Sequence, residues 1–342
     1  MNRRAVPLIA GILFVTACAG ESETTPSVDV GNCVVNEATT GELRIVSTVA
    51  PITSIVGQIV GDTGVVVTGL VPEGTNSHTF EPPPSAAQVL GEADAVFMNG
   101  LILEEPTKDL AKANAKDGAV LCELGAETIT KDEWIFDFSF PESGGKPNPH
   151  LWTNPPFALR YGEVILEVLS KLNPDNASQF KANFDDFASS VASLDEAMTT
   201  ATATLDPEQR KLVTYHDAYA YFAKHYEWSV IGAIQPSSFE DPTPRDVAEL
   251  IEQVKAEGVA AIFGSEVFPS PVLEQIGKEA DVAYIDVLRD DDLPGEPGAP
   301  EHSWLGLMRF NFVTMVEALG GDASALEAVE LSTHIDNAEY PQ

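Results

Sequence analysis

From Leu43 onward, short runs of β-branched and apolar residues alternate with helical segments, and this alternation constrains the fold more than any other feature of the chain. Leu43–Val49, Val65–Val71, Asp94–Met98 and Gly118–Cys122 read as strands; Pro51–Val60, Ser85–Gly91 and Glu104–Ala115 read as the helices between them. The pattern breaks after Pro155-Pro156. Phe157–Leu172 is helical, and Ala177 to about Thr204 carries Phe180, Phe184, Phe187, Val191 and Leu194 at three- and four-residue spacing, as one buried stripe would. The alternation then returns with strands at Lys211–Tyr215, Trp228–Ala233, Ala260–Gly264 and Val282–Val287. Between the last three lie two helices with clear start signals. One has Thr243 as N-cap, Pro244 at its first position and Gly258 after its end, and the other starts at Ser270-Pro271. Strands alternating with helices predict βαβ units and parallel sheets. The expected architecture is therefore two α/β lobes joined by one long rigid helix, with no internal repeat strong enough to indicate a duplication. Residues 42–155 form the first lobe, 156–205 the linking helical region and 206–342 the second lobe.

The segment before Leu43 has a different character. Arg3 and Arg4 precede an apolar run, Ala5–Val15, too short to cross a bilayer, and Val15-Thr16-Ala17-Cys18 ends in small residues before a cysteine. This is secretory signal architecture over residues 1–17, and its last four residues resemble a bacterial lipobox, in which the signal is cut before Cys18 and that cysteine carries lipid. Residues 18–41, rich in Ser, Thr, Glu and Gly, read as a flexible lipidated tether. The other two cysteines, Cys33 and Cys122, form a candidate disulfide outside the cytoplasm that pins the tether to the first lobe; spacing leaves their geometry open. The 53 acidic against 19 basic residues, a formal charge of −34, argue against nucleic acid as a partner, because phosphate binding depends on clustered Lys and Arg.

The chemistry-bearing residues are sparse. Of the six histidines, three stand where an open parallel sheet places ligands, beyond the carboxyl ends of strands or in constrained loops. His78 precedes three prolines in NSHTFEPPPS, His150 lies in the Pro-bracketed NPHLW, and His216 follows the strand Lys211–Tyr215. Asp286, near the end of the last strand, completes a set of three imidazoles and a carboxylate, a sufficient shell for a tetrahedral cation. His225 lies nine residues beyond His216 on what reads as one helix and so on the opposite face. His302 and His334 read as surface residues, and the acid run Asp290–Asp292 as a solvated loop. There is no H-E-x-x-H and no C-x-x-C, and spacing alone makes a site scattered over the chain a weak inference.

The motifs carry a resemblance. Ser77-His78-Thr79-Phe80-Glu81-Pro82, Asn148-Pro149-His150-Leu151-Trp152 and Tyr215-His216-Asp217-Ala218-Tyr219 are similar to the ligand motifs of the metal-specific solute-binding lipoproteins of bacterial zinc and manganese ABC importers, and Asp286 is matched to that family's C-terminal aspartate. The resemblance runs from about Leu43 to Leu319. It implies a metal held between two lobes on His78, His150, His216 and Asp286. It also implies an ABC permease with its ATPase as partner, a lipid anchor in the cell membrane, and a monomer that is not an enzyme. Histidine at the third position goes with zinc in this family, so Zn²⁺ is the expected cargo and Mn²⁺ or Fe²⁺ the alternatives. Two departures stand out: Asp132–Lys146 holds no histidine-rich loop, and Val287 stands where the family commonly has serine after the aspartate. Glu81 and Asp217 are expected beside the ligands, orienting an imidazole or a loop, with plain surface charge as the competing reading. A zinc hydrolase using Asp286 as base, and a surface adhesin, are the competing functions.

Overall fold

The computed structural model describes residues 33–233, 243–265, 271–331 and 338. The signal, Cys18, most of the tether, Ser270 and His334 lie outside the described residues. In the first lobe β1 (Arg44–Ser47), α1 (Ala50–Val60), β2 (Val66–Gly69), α2 (Ala86–Glu92), β3 (Ala95–Met98), α3 (Glu105–Asn114) and β4 (Val120–Glu123) follow in order, and α4 (Leu124–Thr128) ends the series. Two long helices come next, α5 (Pro155–Leu172) and α6 (Ala177–Ala203). The second lobe runs β5 (Lys211–Thr214), α7 (Ala220–Tyr226), β6 (Ser229–Ala233), α8 (Pro244–Glu257), β7 (Ala261–Ser265), α9 (Pro271–Ala280) and β8 (Ala283–Leu288), closing with α10 (Trp304–Ala318) and α11 (Ser324–Glu327).

Both sheets are parallel and share one strand order, β2-β1-β3-β4 in the first lobe and β6-β5-β7-β8 in the second. Each has its own core: Val46, Leu70, Leu90, Val96 and Met98 in the first lobe, and Val213, Ile251, Val254, Ile262, Leu273 and Ile276 in the second. The start and stop signals of α8 act as expected. Thr243 and Asp246 form a reciprocal capping box, Pro244 opens the helix, and Gly258 ends it in the left-handed conformation. His216 departs from expectation, because α7 begins only at Ala220 and leaves that residue in the loop after β5.

The long helix is present as 27 residues, about 40 Å of rigid rod. Its buried stripe is Phe180, Phe187, Val191, Leu194 and Met198, with Phe184 half-buried. One face packs on α5 and α1; further along it meets α7, α10 and α11 of the second lobe. The approach to α1 is close: a Cβ at Gly61, whose φ is +55°, would stand 2.4 Å from the amide nitrogen of Asn183. That amide donates instead to the carbonyl of Ile59 at 3.0 Å.

Two ties reach from this frame toward the end of the first lobe. Trp304, the first residue of α10, donates its backbone N–H to Ser54 Oγ at 2.9 Å and its indole N–H to the carbonyl of Trp152 at 2.9 Å. A disulfide joins Cys33 to Cys122 on β4 with an S–S distance of 2.01 Å, closing the pair that spacing left open. Phe187 lies between Gly162 of α5 and the Trp304 ring, 5.6 Å between ring centroids. Phe187→Ala is therefore expected to cost about 3–5 kcal/mol, read as a lowered denaturant midpoint at unchanged slope.

Candidate metal centre

His78, His150 and His216 come together between the lobes, each offering a ring nitrogen, and those atoms all lie within 4.8 Å of one another. Three different local devices deliver them. His78 sits in the loop after β2, where its N–H donates to Asn76 Oδ1 at 2.8 Å and closes a tight turn. His150 precedes the 3₁₀ turn Leu151–Thr153 and is fully buried. His216 stands two residues past the end of β5.

The nitrogens are spaced like ligands. His150 Nε2 lies 3.0 Å from His78 Nε2 and 3.3 Å from His216 Nε2. Two ligand atoms of a tetrahedral ion at roughly 2.0–2.1 Å stand about 3.3 Å apart, so these separations approximate edges of a coordination tetrahedron. A carboxylate stands on the His216 side: Asp290 Oδ2 is 2.8 Å from His216 Nε2. Asp290 is 4% exposed and stands two residues beyond the end of β8. Its other carboxylate oxygen, Oδ1, is buried without a hydrogen bond among the described residues, which leaves lone pairs for a cation.

Asn148 sets the orientation of the central imidazole. Its amide nitrogen donates to Asp137 Oδ2 at 2.8 Å and to the Asp217 carbonyl at 2.6 Å, both pure acceptors, so the side-chain oxygen must face His150. That oxygen accepts the His150 backbone N–H at 3.0 Å and lies 2.9 Å from Nδ1. The ring proton therefore sits on Nδ1, and the Nε2 lone pair points toward His78 and His216. Trp152 and Phe140 wall the ring at centroid distances of 5.0 and 5.7 Å.

The charge states follow from the packing. Burial, then the neighbouring imidazoles, push His78 and His150 well below the ordinary histidine range, with the Lys146 ammonium adding to the effect at His78. Both are therefore neutral and able to ligate. Burial alone would lower His216 as well, but the Asp290 carboxylate overrides it, and the net shift is upward. Burial, reinforced by the carboxylate of Asp137, raises Asp217 to about 7.

Several sequence expectations need correction. Asp286 is exposed on the edge strand β8 and is not among the converging groups; the carboxylate that meets His216 belongs instead to Asp290, four residues on. The acid run is not a solvated loop, since Asp290 and Asp291 are each 4% exposed. Reading β8 to its true end at Leu288 brings the strand-end rule to Asp290 rather than Asp286. Glu81 is exposed and orients nothing in the centre, whereas Asp217 does take part: its carbonyl holds Asn148 and its N–H donates to Ser139 Oγ at 2.9 Å. His302 is not a surface residue but is 5% exposed, its Nε2 lying 2.8 Å from Glu73 Oε1. His225 stays apart from the centre, pairing with Asp195 of α6 at 2.8 Å.

Because Asn148 fixes both the tautomer and the direction of His150, Asn148→Ala is expected to weaken divalent-metal binding about 10–100-fold, measured by competition against a chelating dye, with helix content unchanged by circular dichroism.

The geometry has clear relatives. The family model described as "zinc-uptake complex component A periplasmic" matches residues 45–318. The chain is similar to the manganese-binding lipoprotein MntA of Halalkalibacterium halodurans, 26% identical over 313 residues that cover 91% of this chain and 97% of that one. It is also similar to the iron-binding protein YfeA of Yersinia pestis, 25% identical over 282 residues, or 82% and 88% of the two chains. Among solved structures, the periplasmic zinc-binding protein TroA of Treponema pallidum superposes with a TM-score of 0.73 at 26% identity, covering 82% of this chain and 99% of that one. With four-fifths of its length matched and a two-lobed parallel-sheet fold in common, this chain belongs to the family of zinc-uptake complex component A proteins.

Proposed function

We propose that this protein captures one divalent transition-metal cation outside the cytoplasm, on His78, His150, His216 and Asp290, and delivers it to the permease of an ABC importer. The observation that carries the reading is the convergence of three imidazole nitrogens from both lobes, with the Asp290 carboxylate 2.8 Å from that of His216. Its relatives bear the names of metal-binding lipoproteins and metal ABC transporter substrate-binding lipoproteins. That kinship supports an importer's permease and ATPase as partners, and a lipid on Cys18 as the anchor. No helix among the described residues is long and apolar enough to cross a membrane. The zinc-hydrolase reading is set aside by the family, which consists of solute-binding proteins. The base it required, Asp286, is exposed on β8.

Zinc is the preferred cargo in this proposal. The names of the relatives are divided among manganese, iron and zinc, and the donors favour zinc. Three imidazole nitrogens and one carboxylate suit Zn²⁺, whereas Mn²⁺ suits oxygen-rich shells and stands lowest in the affinity order of the divalent first-row metals. Capture is a charge exchange. Without metal, the Asp290 carboxylate strengthens the hold of His216 on a proton, and an arriving cation competes with it.

Calorimetric titration of the chelator-stripped protein lacking its leader is expected to give one site per chain, with zinc bound more tightly than manganese. His78→Ala, His216→Ala and Asp290→Ala should each weaken binding at least about 100-fold, and Asp286→Ala should leave it unchanged; a stoichiometry far from one, or loss in Asp286→Ala but not in Asp290→Ala, would overturn the assignment. The pH dependence has a definite sign. His78 and His150 stay neutral, while His216, raised above 6.5, must lose one proton per metal bound. Apparent affinity should therefore fall about tenfold per pH unit once the pH drops below the His216 pKa, which titrations at several pH values will show.

A further inference from the structure

One buried acid has no part in the centre as described. Asp291 follows Asp290 in the chain and is equally buried at 4% exposure, yet it faces the other lobe. Its Oδ2 accepts the backbone N–H of Ser77, the residue before His78, at 3.0 Å. Its Oδ1 is buried and has no hydrogen-bond partner among the described residues. Burying a carboxylate is costly, and placing it beside a second buried carboxylate costs more. A residue held on such terms calls for an account of what it does.

The His78 loop supplies one. Its internal turn, closed by Asn76, fixes the imidazole relative to the loop but not relative to the second lobe. The loop bearing Asp290 and Asp291 is itself firmly held. Asn311 Oδ1 accepts the Arg289 N–H at 3.0 Å, and the Trp152 indole donates to the Asp290 carbonyl at 3.0 Å. The Arg289 guanidinium also pairs with Asp292 at 3.0 Å. A backbone hydrogen bond from Ser77 to this fixed point therefore sets where His78 stands relative to the ligands His216 and Asp290.

We propose that Asp291 is a positioning residue that clasps the His78 loop across the cleft, so that two adjacent carboxylates of one loop divide the work. Asp290 faces the cation, and Asp291 holds the backbone that carries the first imidazole. The inference rests on the metal-capture reading above. Its consequence is kinetic: with the clasp intact, the cation leaves only when the His78 loop and the second lobe part, so losing the clasp speeds release.

The test is zinc release from the loaded protein, followed by stopped-flow with an excess of chelating dye. Asp291→Ala is expected to release zinc about 10–100-fold faster than wild type with one site per chain retained, and Asp291→Asn, whose amide oxygen can accept the same N–H, should remain within about threefold of wild type. Equal damage in Asp291→Asn and Asp291→Ala would overturn the clasp in favour of a role for the negative charge. Wild-type release from Asp291→Ala would also overturn it. Ser77→Pro removes the N–H from the other side and leaves Asp291 in place. It should speed release as Asp291→Ala does, and it decides the question if Asp291→Ala fails to fold; unchanged release from Ser77→Pro overturns the clasp. Failure of the wild type to bind zinc at all would instead strike the metal-capture reading itself.

Discussion

The contact between His216 Nε2 and Asp290 Oδ2, 2.8 Å apart and shielded from solvent, is the constraint around which the rest of the protein is arranged. Buried charges are tolerated only in pairs or on a metal. Here the Asp290 carboxylate favours the protonated form of His216 against the effect of burial. The remaining imidazoles have been driven neutral by burial, so their lone pairs are available without further cost. The site is thus poised: a cation arriving among these groups competes with the proton of His216 alone.

Holding four groups at that spacing requires rigid surroundings, because they come from four separate places in the chain. Each sheet contributes through loops beyond the carboxyl ends of its strands, and the lobes share one strand order. The long helix α6 touches helices of both halves. Trp304, packed on Phe187 of that helix, donates to the carbonyl of Trp152, whose own indole donates to Asp290. A chain of direct contacts therefore runs from the spine to the Asp290 backbone, with the His150 ring edge-on to Trp152.

Much of this was legible in the residues. The strands and helices were marked by composition and period, and α8 carried its own start and stop signals in Thr243, Pro244 and Gly258. The stripe Phe180, Phe187, Val191 and Leu194 announced a helix buried along one side. His78, His150 and His216 could be nominated because stiff loops and strand ends are where such folds place ligands. Asp286 was nominated from the family match and from its place near a strand end, and strand ends are the least certain feature of a pattern. A strand taken to end one residue early turned attention to a carboxylate that lies exposed on the sheet edge. Asn148 and Asp291 carried no signal of their own, since a hydrogen bond from an amide to a ring, or from a backbone N–H to a carboxylate on another lobe, has no period or spacing in the chain.

By itself, the sequence determined the two α/β halves, the helix between them, an acidic surface unsuited to nucleic acid and the three histidines. These are local matters of periodicity, capping, charge count and residue type. Only the tertiary structure decided that Asp290 rather than Asp286 faces His216, that the acid run is buried, that Cys33 and Cys122 are joined, and that His302 lies inside against Glu73. Each of these depends on contacts between residues far apart in the chain. Burial and distance, which set whether a carboxylate is a solvated charge or a metal ligand, exist only once those segments have packed.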